Sequence, residues 1–279
     1  MTFRVFEDAD ALGRALAAEI VKGIDAANDE GRAYLLGCPG GRSPRSTYRA
    51  LAELVWERGT DLSSVVIVMM DDYVADSGGS LHRVDPSLHC SVERFAPVEI
   101  VGPLTEAAAT GRGITADRVW IPDPATPSAY DDRLTAAGGI DLFILASGDT
   151  DGHIAFNPPG SPVDSRTRVI ELADSTRRDN LGTFPDFAGL DDVPRLGISV
   201  GVATIVDQSR RAVLVAPGAS KQEAVRRILG ARDYDPEWPA TLLARCRAPS
   251  LYADLSSAPS VEEAHLPAWA TTERNEVHT

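Results

Sequence analysis

Lysine is nearly absent from this chain. Of its 27 basic residues only Lys22 and Lys221 are lysines, so arginine serves almost everywhere a cation is wanted. Lys22 falls on the face of an amphipathic helix pattern. Lys221 follows an apolar run and opens a helical pattern, which is either a chance survival or a place where a compact ammonium meets an anion. Cysteine is scarce too. Cys38, Cys90 and Cys246 are odd in number and far apart, which excludes a disulfide framework and zinc-type spacing and fits reduced thiols in the cytoplasm. No apolar run approaches the roughly 18 residues that span a bilayer. The N-terminus lacks the apolar core of a secretory signal, and the body shows neither internal repeats nor low-complexity linkers. Excess positive charge is also missing. A net charge of −14 argues against nucleic acid or an anionic membrane as partner, while a local basic pocket could still take a small anion.

What is present is an ordinary globular composition, 43% hydrophobic and 24% charged over 279 residues, enough for one large domain or two small ones. Helical periodicity over 9–29, 44–57, 85–95, 127–137, 173–182, 202–207, 220–229 and, more weakly, 239–246 alternates with short apolar strands at 33–38, 65–70, 118–121, 140–146, 167–172, 196–200, 211–215 and 250–255. Such alternation predicts an α/β fold, a single doubly wound and mostly parallel sheet with helices on both faces. The domain is expected over 1–256, with 257–279 a loosely ordered tail in which Leu266 and Trp269 are the candidates for docking.

Three loops that follow strands carry chemistry. Gly40, Gly41, Arg42, Ser43 and Pro44 lead from a strand into a helix. Paired glycines let backbone N–H groups approach an anion, Ser43 and Pro44 suit the N-cap and first helical positions, and Arg42 adds a bidentate donor. The run is neither a Walker loop nor a dinucleotide fingerprint, and a plain tight turn would use the same residues. Asp71 and Asp72 stand where the 65–70 strand ends. Adjacent carboxylates there repel, which pushes one pKa upward and makes a usable general base; a pair of capping aspartates is the alternative. Finally, the buried 140–146 strand empties into Gly148, Asp149, Thr150, Asp151, Gly152 and His153. Asp151 and His153, two apart, are close enough for a carboxylate to orient an imidazole, unless the histidine is merely solvated. Strand ends of this kind are where open α/β sheets bind ligands. An anion cradle, an acidic pair and an Asp–His pair together suggest an enzyme that moves protons on a small phosphorylated substrate.

From about residue 35 to 255 the chain resembles the glucosamine-6-phosphate isomerase/deaminase family, which is related to 6-phosphogluconolactonases. The resemblance is carried by Asp151 to Asn157 with Ser165 to Arg168, by Met70 to Val74, by Ser199 to Asp207, and by Lys221. It implies a modified doubly wound α/β domain. It also implies that Asp71 shuttles a proton between C1 and C2 of an open-chain sugar, and that His153, oriented by Asp151, assists ring opening. Gly40, Gly41, Arg42, Ser43 and Lys221 would hold the 6-phosphate, with Asp72 at the substrate. No metal or organic cofactor is implied, and a homo-oligomer is left open.

The chain departs from that family at three places. Pro158 stands where the deaminases carry a Glu directly after the Asn of the motif. Gly182 replaces an arginine that binds phosphate, and Arg42 occupies a usual Gly position, which suggests that Arg42 supplies the lost cation. Arg168 to Glu171 replaces the Arg-x-Lys-Thr of hexameric, allosterically activated members. Three functions follow: a hexosamine-phosphate isomerase, deaminating or not; a sugar-phosphate lactonase using His153 to activate water; and a non-catalytic sugar-phosphate sensor. The joint presence of Asp71, Asp151 and His153 opposes the last, since a sensor needs no base.

Overall fold

Runs of Val, Ile and Leu buried on both faces become the strands of a parallel sheet, and amphipathic stretches between them become the helices that cover it. The computed structural model describes residues 1–259 and 271–274. The chain starts with β1 (Thr2–Phe6), α1 (Ala9–Asp29), β2 (Tyr34–Cys38), α2 (Arg45–Arg58) and β3 (Val65–Met69). A hairpin of β4 (Asp71–Ser77) and β5 (Ser80–Arg83) follows, then α3 (Val92–Phe95), a π-helical turn at Ala96–Val101, α4 (Gly102–Ala107) and the short β6 (Val119–Trp120). The second half contains α5 (Pro127–Ala136), β7 (Leu142–Leu145), β8 (Arg168–Glu171), α6 (Asp174–Thr183), β9 (Leu196–Ser199), α7 (Val202–Gln208), β10 (Ala212–Ala216), α8 (Gln222–Gly230), β11 (Pro249–Asp254) and β12 (Thr271–Arg274).

Eight strands form a sheet in the order β12-β1-β11-β10-β7-β2-β3-β6, all parallel. Leu12, Leu16 and Ile20 of α1 and Leu51 and Val55 of α2 pack on one face against Leu36, Ile67, Met69, Ile144 and Val213. Leu134 of α5, Ile205 of α7 and Val225 and Ile228 of α8 pack on the other against Val68, Phe143, Leu145 and Leu214. Neighbouring strand residues alternate between the two clusters, as the pleat requires. From β2 the chain builds outward through β3 to β6, then returns to β7 and builds the other way through β10 to β11, which lies beside β1, the first strand. The switch point therefore lies between β2 and β7, where open sheets leave a crevice at their carboxyl edge.

The expected α/β class stands, with one addition. The segments read as 167–172 and 196–200 do not join the parallel sheet. They form β8 and β9 of a separate antiparallel sheet, order β5-β4-β9-β8. Beneath it Tyr73, Val84, Cys90, Phe156, Leu172 and Val193 make a third small core. One further expectation is corrected, and one strand is additional. The 85–95 helix shrinks to Val92–Phe95, after a stretch containing Pro86 that turns instead, and β1 was not anticipated. Within the tail, Thr271–Arg274 pairs with β1 as an edge strand. The remainder of the tail, with Leu266 and Trp269, lies outside the described residues.

Candidate active site

Every charged group expected at the site except Asp72 meets at the β2/β7 crevice. Gly40, Gly41, Arg42, Ser43, Asp71, His153 and Lys221 line one cavity, and Asp151 is hydrogen-bonded directly behind His153.

The cradle is the turn from β2 into α2. Gly41 has φ +87°, a conformation that costs other residues dearly. Tyr48, buried one turn into α2, donates its hydroxyl to Pro39 O at 2.8 Å and pins the turn to its own helix. The cap differs from expectation: α2 starts at Arg45, Pro44 holds the N-cap position, and no side chain caps it. Ser43 lines the cavity instead. A 14-residue helix thus points an uncapped N-terminus, with its unshared N–H groups and partial positive charge, toward the crevice.

Asp71 and Asp72 are successive residues of β4, so they face opposite ways. Asp71 pairs across the small sheet with Ser199 and turns into the cavity, 7% exposed. Burial, and secondarily the charge of Asp72, pushes its carboxyl up to about 7. Burial rather than repulsion between neighbours is thus the larger cause. Asp72 is corrected: it does not line the cavity but is wholly buried, accepting the N–H groups of Tyr73 at 2.8 Å and Val92 at 3.0 Å, with Arg83 4.0 Å away. Burial raises its carboxyl to about 6 against those hydrogen bonds. It ties α3 to the small sheet and touches no ligand space.

The loop after β7 folds back on itself, with bridges Ser147–Ile154 and Ile154–Asn157. Gly152 (φ +65°) makes the reversal against the Trp238 ring, and a Cβ on Gly148 would sit 2.2 Å from His153 Nδ1. The glycines are thus what let Asp151 and His153 meet. His153 Nδ1 lies 2.7 Å from Asp151 Oδ1; an Nδ1–H donating there leaves Nε2 for chemistry. Asp151 also accepts the His153 N–H at 3.0 Å and the Ser175 hydroxyl. Burial would raise its carboxyl, but its bond to His153 and the imidazole charge hold it far below the ordinary range. Asn157 locks the loop to β9 by donating to Val200 O at 2.7 Å and accepting from Arg168 at 2.9 Å. Those two motif residues are clamps. Ala155 takes φ +50° in the cavity wall, a strained value for a non-glycine.

Lys221, 8% exposed, sits in a 3₁₀ turn at Ala219–Lys221 ahead of α8. Its ammonium is bonded to Ser147 O and Asp149, tying the end of β10 to the end of β7. Burial raises the Asp149 carboxyl, yet Lys221, aided by Ser220 and Arg42, brings it below its usual value. The survival of this lysine is explained by an enclosed ion pair at the cavity wall.

Three residues missed from sequence, Ser175, Asp179 and Thr183, come from α6, where they join Gly182. Ser175, Asp179, Gly182 and Thr183 share one helical face. Ser175 bonds Asp151, Asp179 and Thr183 line the cavity, and a Cβ on Gly182 would lie 3.4 Å from the Arg42 guanidinium. The 4-3-1 spacing of these small and polar residues was the available signal. His89, by contrast, packs edge-on against Phe187 with centroids 4.4 Å apart and is not part of the cavity lining. Among the described residues one group of acids and histidine is dense enough to hold a cation: one atom each of Asp151, His153 and Asp179, all within 4.8 Å. Two of the three are already hydrogen-bonded to each other, an arrangement suited to handling protons. No helix among the described residues is long and apolar enough to cross a membrane.

A family model described as "Glucosamine-6-phosphate isomerases/6-phosphogluconolactonase" matches residues 7–252. A glucosamine-6-phosphate deaminase of Arthrobacter sp. (strain FB24) is 36% identical over 215 residues, 76% of this chain and 75% of the relative. Among solved structures, a monomeric glucosamine-6-phosphate deaminase matches with a TM-score of 0.78 at 25% identity, over 92% of this chain and 98% of that one. The 6-phosphogluconolactonase of Leishmania guyanensis matches at 0.65 and 18% identity, over 93% and 98%, a likeness of fold alone.

Proposed function

The chain belongs to the glucosamine-6-phosphate isomerase/6-phosphogluconolactonase family, and from that premise we propose that it isomerises and deaminates a hexosamine 6-phosphate. The observation that carries this reading is Asp71, a buried carboxyl held near neutrality at about 7 on the wall that His153 and the Gly40–Ser43 cradle also line. A general base works best when its pKa lies near the working pH. With the sugar ring opened beside His153, Asp71 takes the proton from C2 and returns it to C1. The resulting 2-imine adds water at C2 and loses ammonia, leaving a ketose phosphate.

The phosphate is assigned to the α2 N-terminus, the backbone of Gly40 and Gly41, Ser43, Arg42 and Lys221. Arg42 lies over Gly182, so its guanidinium fills the space that a side chain growing from position 182 would take. This supports the exchange of a cation between the two positions. An entering phosphate competes with Asp149 for Lys221. All of these groups come from one chain. The free, buried thiols of Cys38, Cys90 and Cys246 support a reducing, cytoplasmic setting.

A lactonase would need His153 to activate water but would have no work for a desolvated base at Asp71. Incubation with glucosamine 6-phosphate and, separately, with 6-phosphogluconolactone decides between the two. Ammonia release without lactone loss is expected. Lactone loss alone would replace the deaminase reading, and binding without turnover of either would leave a sensor.

A further inference from the structure

Resting on the ring-opening step of that reading, we propose that Asp179 is a second carboxyl of the ring-opening apparatus, paired with His153 across the cavity wall. α6 turns one face to the loop after β7. Ser175 on that face bonds Asp151; one helical turn on, Asp179 lines the cavity and places a carboxylate oxygen within 4.8 Å of a His153 ring nitrogen and an Asp151 oxygen. His153 is thereby flanked by carboxyls from two elements. Asp151 already accepts three hydrogen bonds from His153 and Ser175 and lies behind the ring as its orienting carboxyl. Among the described residues no hydrogen bond holds the Asp179 carboxylate, so it is available to substrate. The other charged groups at this end are Asp149 and Lys221, paired with each other, and Arg42. Burial raises the Asp179 carboxyl above its ordinary value, opposed by the charges of His153 and Lys221 and reinforced by Asp151 and Asp149. That shift makes it a better proton acceptor than a free aspartate.

The step balances as follows. Asp179 takes the proton of the C1 hydroxyl while protonated His153 gives one to the ring oxygen. The C1–O5 bond breaks with its electron pair going to O5, and the former O–H pair becomes the C1 carbonyl. Asp179 then returns its proton to His153, and the pair is reset.

Ring opening is observable without deamination, because it interconverts the α- and β-anomers of glucosamine 6-phosphate, a process followed by NMR exchange spectroscopy. The wild-type protein is expected to accelerate this interconversion. Asp179→Asn, which removes the acceptor at constant size, should lower the protein-catalysed rate about 30-fold or more, with an unchanged thermal midpoint. Asp179→Glu should recover a good part of it, which a merely structural role would not allow. Interconversion by Asp179→Asn at the wild-type rate overturns the proposal, as does a wild-type protein that does not accelerate it. Ammonia, measured in the same samples, reports on the deaminase reading separately: anomer exchange without ammonia would end that reading and leave the role of Asp179 standing.

Discussion

The two sheets of this protein meet at the candidate active-site cavity but contribute opposite things to it. The eight-stranded parallel sheet is covered on both faces and ends its central strands in loops rich in glycine, whose side-chain cations and backbone N–H groups suit an anion. The four-stranded antiparallel sheet has a far smaller core and contributes Asp71, whose carboxyl it strips of water. The chain crosses between them several times, and one crossing places the acid: β3 ends at Met69, and after Met70 the same run continues as β4 with Asp71 at its head. Moving into a second sheet is what lets a strand place an acid inside protein, since a surface loop at the parallel sheet's edge would have left it hydrated and ionised at its usual pKa. On the proposed reading, substrate capture and proton abstraction fall to different regions, and substitutions should separate them.

The largest effect is expected at the crossing. Asp71→Asn should lower kcat about 10³-fold with little change in KM, a loss of about 4 kcal/mol of transition-state stabilisation, while Asp72→Asn should cost less than tenfold. Steady-state kinetics of the two variants would break the division if Asp72 proved the more sensitive. Stability should follow core size. Phe143→Ala, in the parallel sheet and fully buried, should cost about 4 kcal/mol in urea unfolding, and Leu172→Ala beneath the small sheet about 2 kcal/mol. Equal losses would mean that the small sheet carries more of the fold than its core suggests. On the capture side, Arg42→Ala should raise KM for the sugar phosphate about 10- to 30-fold with kcat nearly unchanged, the range for a hydrogen bond to a charged group. An unchanged KM would remove Arg42 from the phosphate site.

The smallest effect is on pH and stability. Asp71 titrates near 7 in the folded protein and near 3.8 when exposed. Between those values the unfolded chain has released a proton that the folded protein keeps, so stability falls as pH rises through this window. Asparagine has no proton to lose. Asp71→Asn should therefore raise Tm by several °C at pH 8 and by almost nothing at pH 4, read by a thermal scan at each pH. The same titration predicts that wild-type kcat/KM rises with pH up to about 7.

Much of this was legible in the residues themselves. Continuous apolar runs identified the central parallel strands, because burial on both faces leaves no alternation to misread. Glycine pairs, adjacent carboxylates and the Asp-Gly-His step marked three loops that do converge, because strand ends of an open sheet necessarily share an edge. What sequence periodicity could not resolve was partnership. β8 and β9 are as short as the parallel strands beside them in sequence, and only long-range pairing with β4 assigns them to another sheet. Asp72 looked equivalent to Asp71 until the pleat turned one carboxyl into the cavity and buried the other under α3. Asp179 was missed because its significance lies in α6 docking against a loop more than 20 residues away in the chain. Local composition thus determined which segments are strands, helices and reactive loops. The tertiary structure alone decided which acids are desolvated and which face each other, because burial and proximity are set by contacts between segments remote in sequence.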